Sequence, residues 1–193
     1  MRFCQERPEL DSGTAHRLTL TTGQQPLAIL LGCSDSRVPA EIIFDQGLGQ
    51  LFVIRVAGNI VAPSLIGSVE FAASLFSTRL VVVLGHSQCG AIEATVEVLR
   101  TQGGHASPNL RSIVDRIAPA VEPLLMQGAD GQTLMERAVR ANVCASVDQL
   151  RHGSRILEDL QATSGLQIVG AEYSLESGVV DFFHGVPEDW KLA

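Results

Sequence analysis

Three short runs of apolar residues stand out in the first half of the chain. They span Leu27–Leu31, Leu51–Val56 and Leu80–Leu84, and each is followed by glycine or a polar cluster. Apolar runs of this length are typical of strands buried on both faces of a parallel sheet. Two later runs, Leu166–Ala171 and Val179–Phe183, predict a fourth and a fifth strand. Because the turn between these two is short, we expect the fifth strand to be antiparallel to the fourth.

The segments between the strands carry apolar residues at helical spacing. Helices are predicted over Pro63–Phe76, Cys89–Leu99, Leu110–Met126 and Leu134–Leu160. Breaks in the last two are expected around Pro119, Pro123 and Gly153. The alternation predicts an α/β fold: a mostly parallel four-stranded sheet with an antiparallel edge strand and helices on both faces. A chain of 193 residues fits one domain spanning 1–193.

The charge balance narrows the possible partners. The net charge is −7 and no basic run is present, which argues against nucleic acid or an anionic membrane as a partner. The longest apolar runs are far shorter than the roughly 20 residues that span a bilayer. The first eleven residues, MRFCQERPELD, lack the apolar core of a signal peptide, so we expect a cytoplasmic protein.

Cysteine and histidine follow two of the predicted strands. Cys33 comes directly after the first strand, and His86 and Cys89 follow the third. If these strands are neighbours in a parallel sheet, both segments face one crevice at its carboxyl edge. Two thiolates and one imidazole form a set that zinc accepts. The other cysteines, Cys4 and Cys144, lack partners at ligand spacing.

Asp35 and Arg37 lie beside the first predicted ligand. Three protein ligands leave a fourth position for water or for Asp35, and pairing with Arg37 would make this carboxylate less available to the metal. Zinc with two thiolates and one neutral imidazole is formally neutral, so it ionises water less readily than a three-histidine site. We therefore expect Asp35 and Arg37 to contribute strongly to catalysis.

Several segments together resemble the β-class carbonic anhydrases. They are Cys33–Pro39, Phe44–Gly47, Phe52–Asn59, Gly67–Glu70, Gly85–Gly90 and Gly170–Gly178. The resemblance implies reversible hydration of carbon dioxide to bicarbonate and a proton by zinc-bound hydroxide, in a lyase with one Zn2+ per chain. It assigns Cys33, His86 and Cys89 as ligands, with Asp35 as a fourth ligand only in a closed site. Asp35 and Arg37 would form the catalytic dyad.

The resemblance also implies a substrate pocket and a subunit partner. It places Gln24, Phe52, Ala57, Phe71 and Gly90 in the pocket. It implies a homodimer or a higher homo-oligomer with pocket residues donated across the interface. The N-terminal helical arm that wraps the partner in the family is expected to be short or absent here.

One subgroup of the family is inhibited by bicarbonate through a Trp, an Arg and a Tyr. Arg55 and Tyr173 match two of these positions, but Leu30 stands at the Trp position. We therefore expect an open site at neutral pH, with three protein ligands and water on the zinc.

Two alternative functions fit parts of the sequence. One is a hydrolase of carbon disulfide or carbonyl sulfide on the same scaffold. The other is a non-catalytic protein with a structural zinc. The presence of Asp35 and Arg37 argues against the second alternative, because a closed structural site needs neither residue.

Overall fold

The computed structural model describes residues 13–101 and 107–188. Cys4 and any N-terminal arm before residue 13 lie outside this part of the chain. Within it, one sheet has the strand order β2-β1-β3-β4-β5. The strands are β1 (Ala28–Gly32), β2 (Leu51–Arg55), β3 (Leu80–His86), β4 (Gln167–Tyr173) and β5 (Val180–His184). The first four are parallel and β5 is an antiparallel edge strand, which confirms the predicted sheet.

Helices connect the strands and cover the sheet. They are α1 (Thr14–Thr19), α2 (Ala40–Ile43), α3 (Pro63–Leu75), α4 (Gly90–Arg100), α5 (Pro108–Met126), α6 (Gly131–His152) and α7 (Arg155–Ser164). Gly153 separates α6 from α7, as predicted, and the Ser154 hydroxyl caps α7 by accepting the N–H of Leu157 at 3.2 Å. The short helices α1 and α2 were not predicted from the sequence.

The prediction of breaks at Pro119 and Pro123 is wrong, because α5 is continuous through both residues. Proline in a helix interior costs about 3 kcal/mol, since it removes one hydrogen bond and crowds the preceding turn. Four apolar side chains of α5 are buried, namely Val114, Ile117, Ala118 and Val121. Burying a residue such as valine or isoleucine contributes about 1.5–3 kcal/mol. Together these side chains outweigh the local penalty.

Alternate residues of the central strands point into two separate cores. Leu30 packs in the core that includes residues of α4 and α5. Its neighbours Ile29 and Leu31 pack in the core that includes residues of α3 and α7. Both faces of the sheet are therefore covered by helices, as predicted, while α6 contributes residues to both cores.

The direction of winding reverses between β1 and β3. The chain passes from β1 to β2 on one side and then returns to place β3 on the other side of β1. Such a reversal opens a crevice beyond the carboxyl ends of the two strands. The condition on which the sequence-based metal site depends, that the first and third strands are neighbours, is therefore met. Among the helices described, none is both long and apolar enough to cross a membrane.

Candidate metal centre

Three predicted ligands meet in the crevice between β1 and β3. Cys33 follows the last residue of β1, His86 ends β3, and Cys89 precedes α4. All three side chains are buried, and their ligand atoms lie within 4.8 Å of one another. The parallel pairing of β1 with β3 brings them together from positions far apart in sequence.

The ring of His86 is oriented by a hydrogen bond from one of its two nitrogens. Its Nδ1 lies 2.9 Å from the carbonyl oxygen of Ser87, and since a carbonyl only accepts, Nδ1 carries the proton. Ser87 is itself held by its N–H, which donates to Tyr173 O at 3.0 Å. In the described part of the chain, Nε2 of His86 is buried without a hydrogen-bond partner. A buried unpaired nitrogen costs about 1–3 kcal/mol, which a metal ligand bond would remove.

The sulfur of Cys33 lies in surroundings that favour the thiolate. The Cys89 thiol lowers the pKa of Cys33 to about 4, with further help from backbone N–H groups. Those groups belong to Asp35 and Gly58, and each nitrogen lies 3.4 Å from the sulfur. The thiolate is the form that binds metal.

The pKa values of Cys89 and His86 are both raised in the metal-free protein. The adjacent Cys33 sulfur and burial raise the pKa of Cys89 strongly, although N–H groups of Ala91 and Ile92 at the start of α4 oppose the shift. Burial lowers the pKa of His86, but the neighbouring Cys33 outweighs it and leaves the pKa raised. Metal ligation needs a thiolate and a neutral imidazole, so metal binding at this cluster is coupled to proton release.

Asp35 and Arg37 form a bidentate pair at the mouth of the cluster. Arg37 Nε donates to Asp35 Oδ1 at 2.9 Å and Nη2 donates to Oδ2 at 2.7 Å. The backbone N–H of Arg37 also donates to Oδ1, at 2.9 Å. These bonds hold the pKa of Asp35 well below its usual range. The carboxylate stays ionised, and its Oδ2 lies 3.9 Å from His86 Nε2.

Comparisons with known proteins agree with this geometry. The family model described as "Carbonic anhydrase" matches residues 28–180. The chain belongs to the β-class carbonic anhydrases. Carbonic anhydrase 2 of Mycobacterium tuberculosis is 39% identical over 178 residues, covering 92% of this chain and 84% of that protein. The carbonic anhydrase of Mycolicibacterium smegmatis is 38% identical over 169 residues, covering 88% and 80%.

A solved structure shares the fold. The β-carbonic anhydrase CcaA matches with a TM-score of 0.76 and 27% identity, covering 91% of this chain and 86% of that chain. The function of this carbonic anhydrase is the reversible hydration of carbon dioxide. The family and its relatives favour this reaction over a carbon disulfide or carbonyl sulfide hydrolase and over a structural-zinc protein.

Two arginine side chains of this carbonic anhydrase form hydrogen bonds with the backbone of the segments that carry the ligands, one containing Cys33 and the other containing His86 and Cys89. Arg55, at the end of β2, donates to Cys33 O at 3.0 Å and to Asp35 O at 2.6 Å. Arg37 Nη2 also donates to Gln88 O at 3.1 Å, which ties the first ligand segment to the second. The sequence singled out Arg55 only as a match to a regulatory position. Its contacts in the structure are with the ligand loop.

Two predicted pocket residues lie away from the metal ligands of their own chain. Phe52 pairs in register with Ile29, four residues before Cys33, so it lies about 13 Å from Cys33 along the strand. Phe71 on α3 packs against Phe52 with ring centroids 6.3 Å apart, and 53% of it is exposed. Within one chain these rings do not line the metal cluster.

Of the other three predicted pocket residues, one is exposed before β1 and two lie near the metal cluster. Gln24 is exposed in the segment before β1. Ala57 is half-buried in the turn that follows β2, next to the residue that donates its N–H to Cys33. Gly90 is exposed as the first residue of α4, directly after Cys89. The first N–H groups of a helix have no acceptor within the helix, so Gly90 can donate to an anion.

Sequence reasoning missed the role of Gly58 beside the metal cluster. Its φ of +71° lies in the left-handed region, where glycine is favoured. A Cβ at Gly58 would lie 2.8 Å from Ile117 Cδ1 and 3.0 Å from Ala91 Cβ. The available signal was a glycine followed by asparagine shortly after the second strand, a pair that favours positive φ.

Proposed function

We propose that this carbonic anhydrase holds one zinc ion through Cys33, His86 and Cys89. The observation that supports the proposal is the buried Nε2 of His86, which has no hydrogen-bond partner among the described residues and lies beside two cysteine sulfurs. Two sulfur donors and one imidazole suit zinc better than magnesium or calcium, which prefer oxygen ligands. Three ligands also leave the fourth position that catalytic zinc sites keep open.

Asp35 and Arg37 are proposed as the catalytic dyad. When bound, zinc would act as a Lewis acid and lower the pKa of water in its open position. Asp35 would accept a hydrogen bond from the reacting water at Oδ2, the oxygen that faces His86. Arg37 would keep that carboxylate ionised and oriented through its bidentate contact.

The predicted substrate pocket is proposed to need two chains. Gln24 and Phe71 are exposed, and Phe52 lies on the edge strand β2, so all three are available to a neighbouring subunit. We infer a homodimer in which these residues reach the metal centre of the partner. Apolar rings suit carbon dioxide, and the N–H of Gly90 would bind bicarbonate. Cytoplasmic location stays a prediction.

Purified, zinc-loaded protein is expected to hydrate carbon dioxide in a stopped-flow assay and to contain one zinc per chain. Removing the metal with a chelator should abolish activity, and adding zinc back should restore it. Assays with carbon disulfide and carbonyl sulfide serve as the comparison. Turnover of these gases without carbon dioxide hydration would contradict the proposal, and zinc without any activity would indicate a structural site.

The fourth zinc position is expected to be open near neutral pH. Three hydrogen bonds from Arg37 hold Asp35, so the carboxylate should stay with the guanidinium. A zinc-loaded crystal structure at neutral pH should have three protein ligands. Arg37→Gln should release Asp35 toward the metal and lower activity.

A matched control for this prediction is Arg111→Gln. It removes another arginine–aspartate pair, Arg111 with Asp115 on α5, and should leave zinc ligation and activity unchanged. Coordination of zinc by Asp35 in the unmodified protein at neutral pH would show that the site is closed and would refute this expectation.

A further inference from the structure

A tight turn lies against Cys33 and donates a hydrogen bond to the sulfur of this ligand. The turn spans Ala57–Asn59, and the N–H of Gly58 points at Cys33 Sγ across 3.4 Å. Gly58 and Asn59 both have positive φ, at 71° and 42°. Asparagine tolerates positive φ better than most residues, but the conformation is still uncommon outside glycine and persists where surrounding contacts fix it.

Two polar side chains of α6 provide those contacts. Asn142 Nδ2 donates to Gly58 O at 2.8 Å, and Ser146 Oγ donates to Asn59 O at 3.1 Å. Asn142 is 2% exposed and Ser146 is 4% exposed. They are four residues apart, so they lie on one face of the helix. The two donors therefore bind successive carbonyl groups of the same turn.

The neighbours of this pair on α6 are apolar. Val139, Val143 and Val147 are all buried, so the helix presents two polar groups within an apolar face. Burying an amide or a hydroxyl is unfavourable unless it is hydrogen-bonded. Two further apolar residues would be the simpler choice if α6 only had to pack against the sheet.

We propose that Asn142 and Ser146 are positioning residues for the metal centre. By fixing the carbonyl groups of Gly58 and Asn59, they set the conformation of the turn and keep the Gly58 N–H directed at Cys33. A hydrogen bond to a ligand sulfur orients that ligand and adjusts how strongly it binds metal. This inference rests on the zinc site proposed above.

The test removes each donor without changing side-chain size greatly. Asn142→Leu and Ser146→Ala are expected to weaken zinc binding about 10- to 100-fold, as is typical of residues that support a metal ligand. Zinc affinity is measured by competition with a chromogenic chelator. In cobalt-substituted protein, the thiolate-to-cobalt charge-transfer band should also shift. Ser146→Thr keeps the hydroxyl and should retain the affinity and the spectrum of the unmodified protein.

Thr78→Val is the matched control. Thr78 is 3% exposed and its hydroxyl donates to Pro26 O at 2.9 Å. This hydrogen bond also runs from a side chain to the backbone, and it is as deeply buried as those of Asn142 and Ser146. It lies just before β3, at the opposite end of the strands from the metal cluster. Its replacement should lower the melting temperature without changing zinc affinity or the cobalt spectrum.

The outcomes separate positioning from packing. If Asn142→Leu does not fold, the milder Ser146→Ala decides. Unchanged zinc affinity and an unchanged cobalt band in a folded Ser146→Ala protein would overturn the inference while leaving the zinc site intact. Failure of the unmodified protein to bind zinc would instead overturn the proposed metal site, and the inference with it.

Discussion

Replacing Cys33 by serine is expected to empty the metal site and abolish carbon dioxide hydration. Cys33 supplies the sulfur whose pKa is lowered to about 4, whereas a serine hydroxyl stays protonated and is a poor zinc ligand. The loss of zinc affinity should exceed the roughly 10- to 100-fold effects of outer residues that only support a ligand. Metal analysis after exposure to a mild chelator, together with stopped-flow hydration, measures both effects.

Cys144→Ser provides the control for this experiment. Cys144 is a half-buried cysteine on α6 that is not part of the metal cluster. Its replacement should leave one zinc per chain and full activity. If Cys33→Ser protein kept its zinc through chelator treatment, Cys33 would not be a ligand.

Asp35→Asn is expected to reduce kcat/KM by about 10²-fold, a loss typical of a reacting group that is no longer held in position. Asparagine has nearly the same shape, but it has one acceptor oxygen and no charge. It cannot accept from both Arg37 Nε and Arg37 Nη2 while also orienting the reacting water. Zinc content should remain at one per chain, because Asp35 is not expected to bind the metal in the open site.

The control is Asp115→Asn, which breaks an exposed aspartate–arginine pair on α5. Exposed pairs contribute little, so activity and zinc content should match the unmodified protein. An active Asp35→Asn enzyme would remove Asp35 from the mechanism. Zinc loss in that variant would mean that Asp35 contributes to metal binding as well.

The three central strands, β1, β3 and β4, were predictable because they are buried on both faces. Continuous apolar runs identify such strands, and the predicted Leu27–Leu31 and observed Ala28–Gly32 differ by one residue at each end. The length of the last turn also fixed the antiparallel direction of β5. Strand order was not predictable, because it depends on which side of β1 the chain returns to after β2.

The helices were less predictable where long-range packing opposes local preference. Gly153 ends α6 as its sequence signal indicates. Pro119 and Pro123 carry an equally strong signal, yet α5 continues through them because its apolar face is buried against α4 and α6. Local propensity cannot reveal how much a neighbouring helix will contribute.

The ligands were predictable and their supports were not. Cys33, His86 and Cys89 have chemistry that is unusual at strand ends. Asn142 and Ser146 are about 85 residues away from the turn they bind. Polar residues on the apolar face of a helix are a visible signal, but the sequence does not tell which carbonyl groups they will meet.

The reversal of winding between β1 and β3 has a consequence for the order of folding. Cys33 leaves the ribosome roughly 50 residues before His86, and the chain between them contains β2 and α3. Closing such a long parallel connection is slow, since its entropy cost precedes its contacts. The ligand set is complete only after β3 has docked beside β1. The zinc content of a preparation therefore measures the fraction of molecules in which β1 and β3 have already paired.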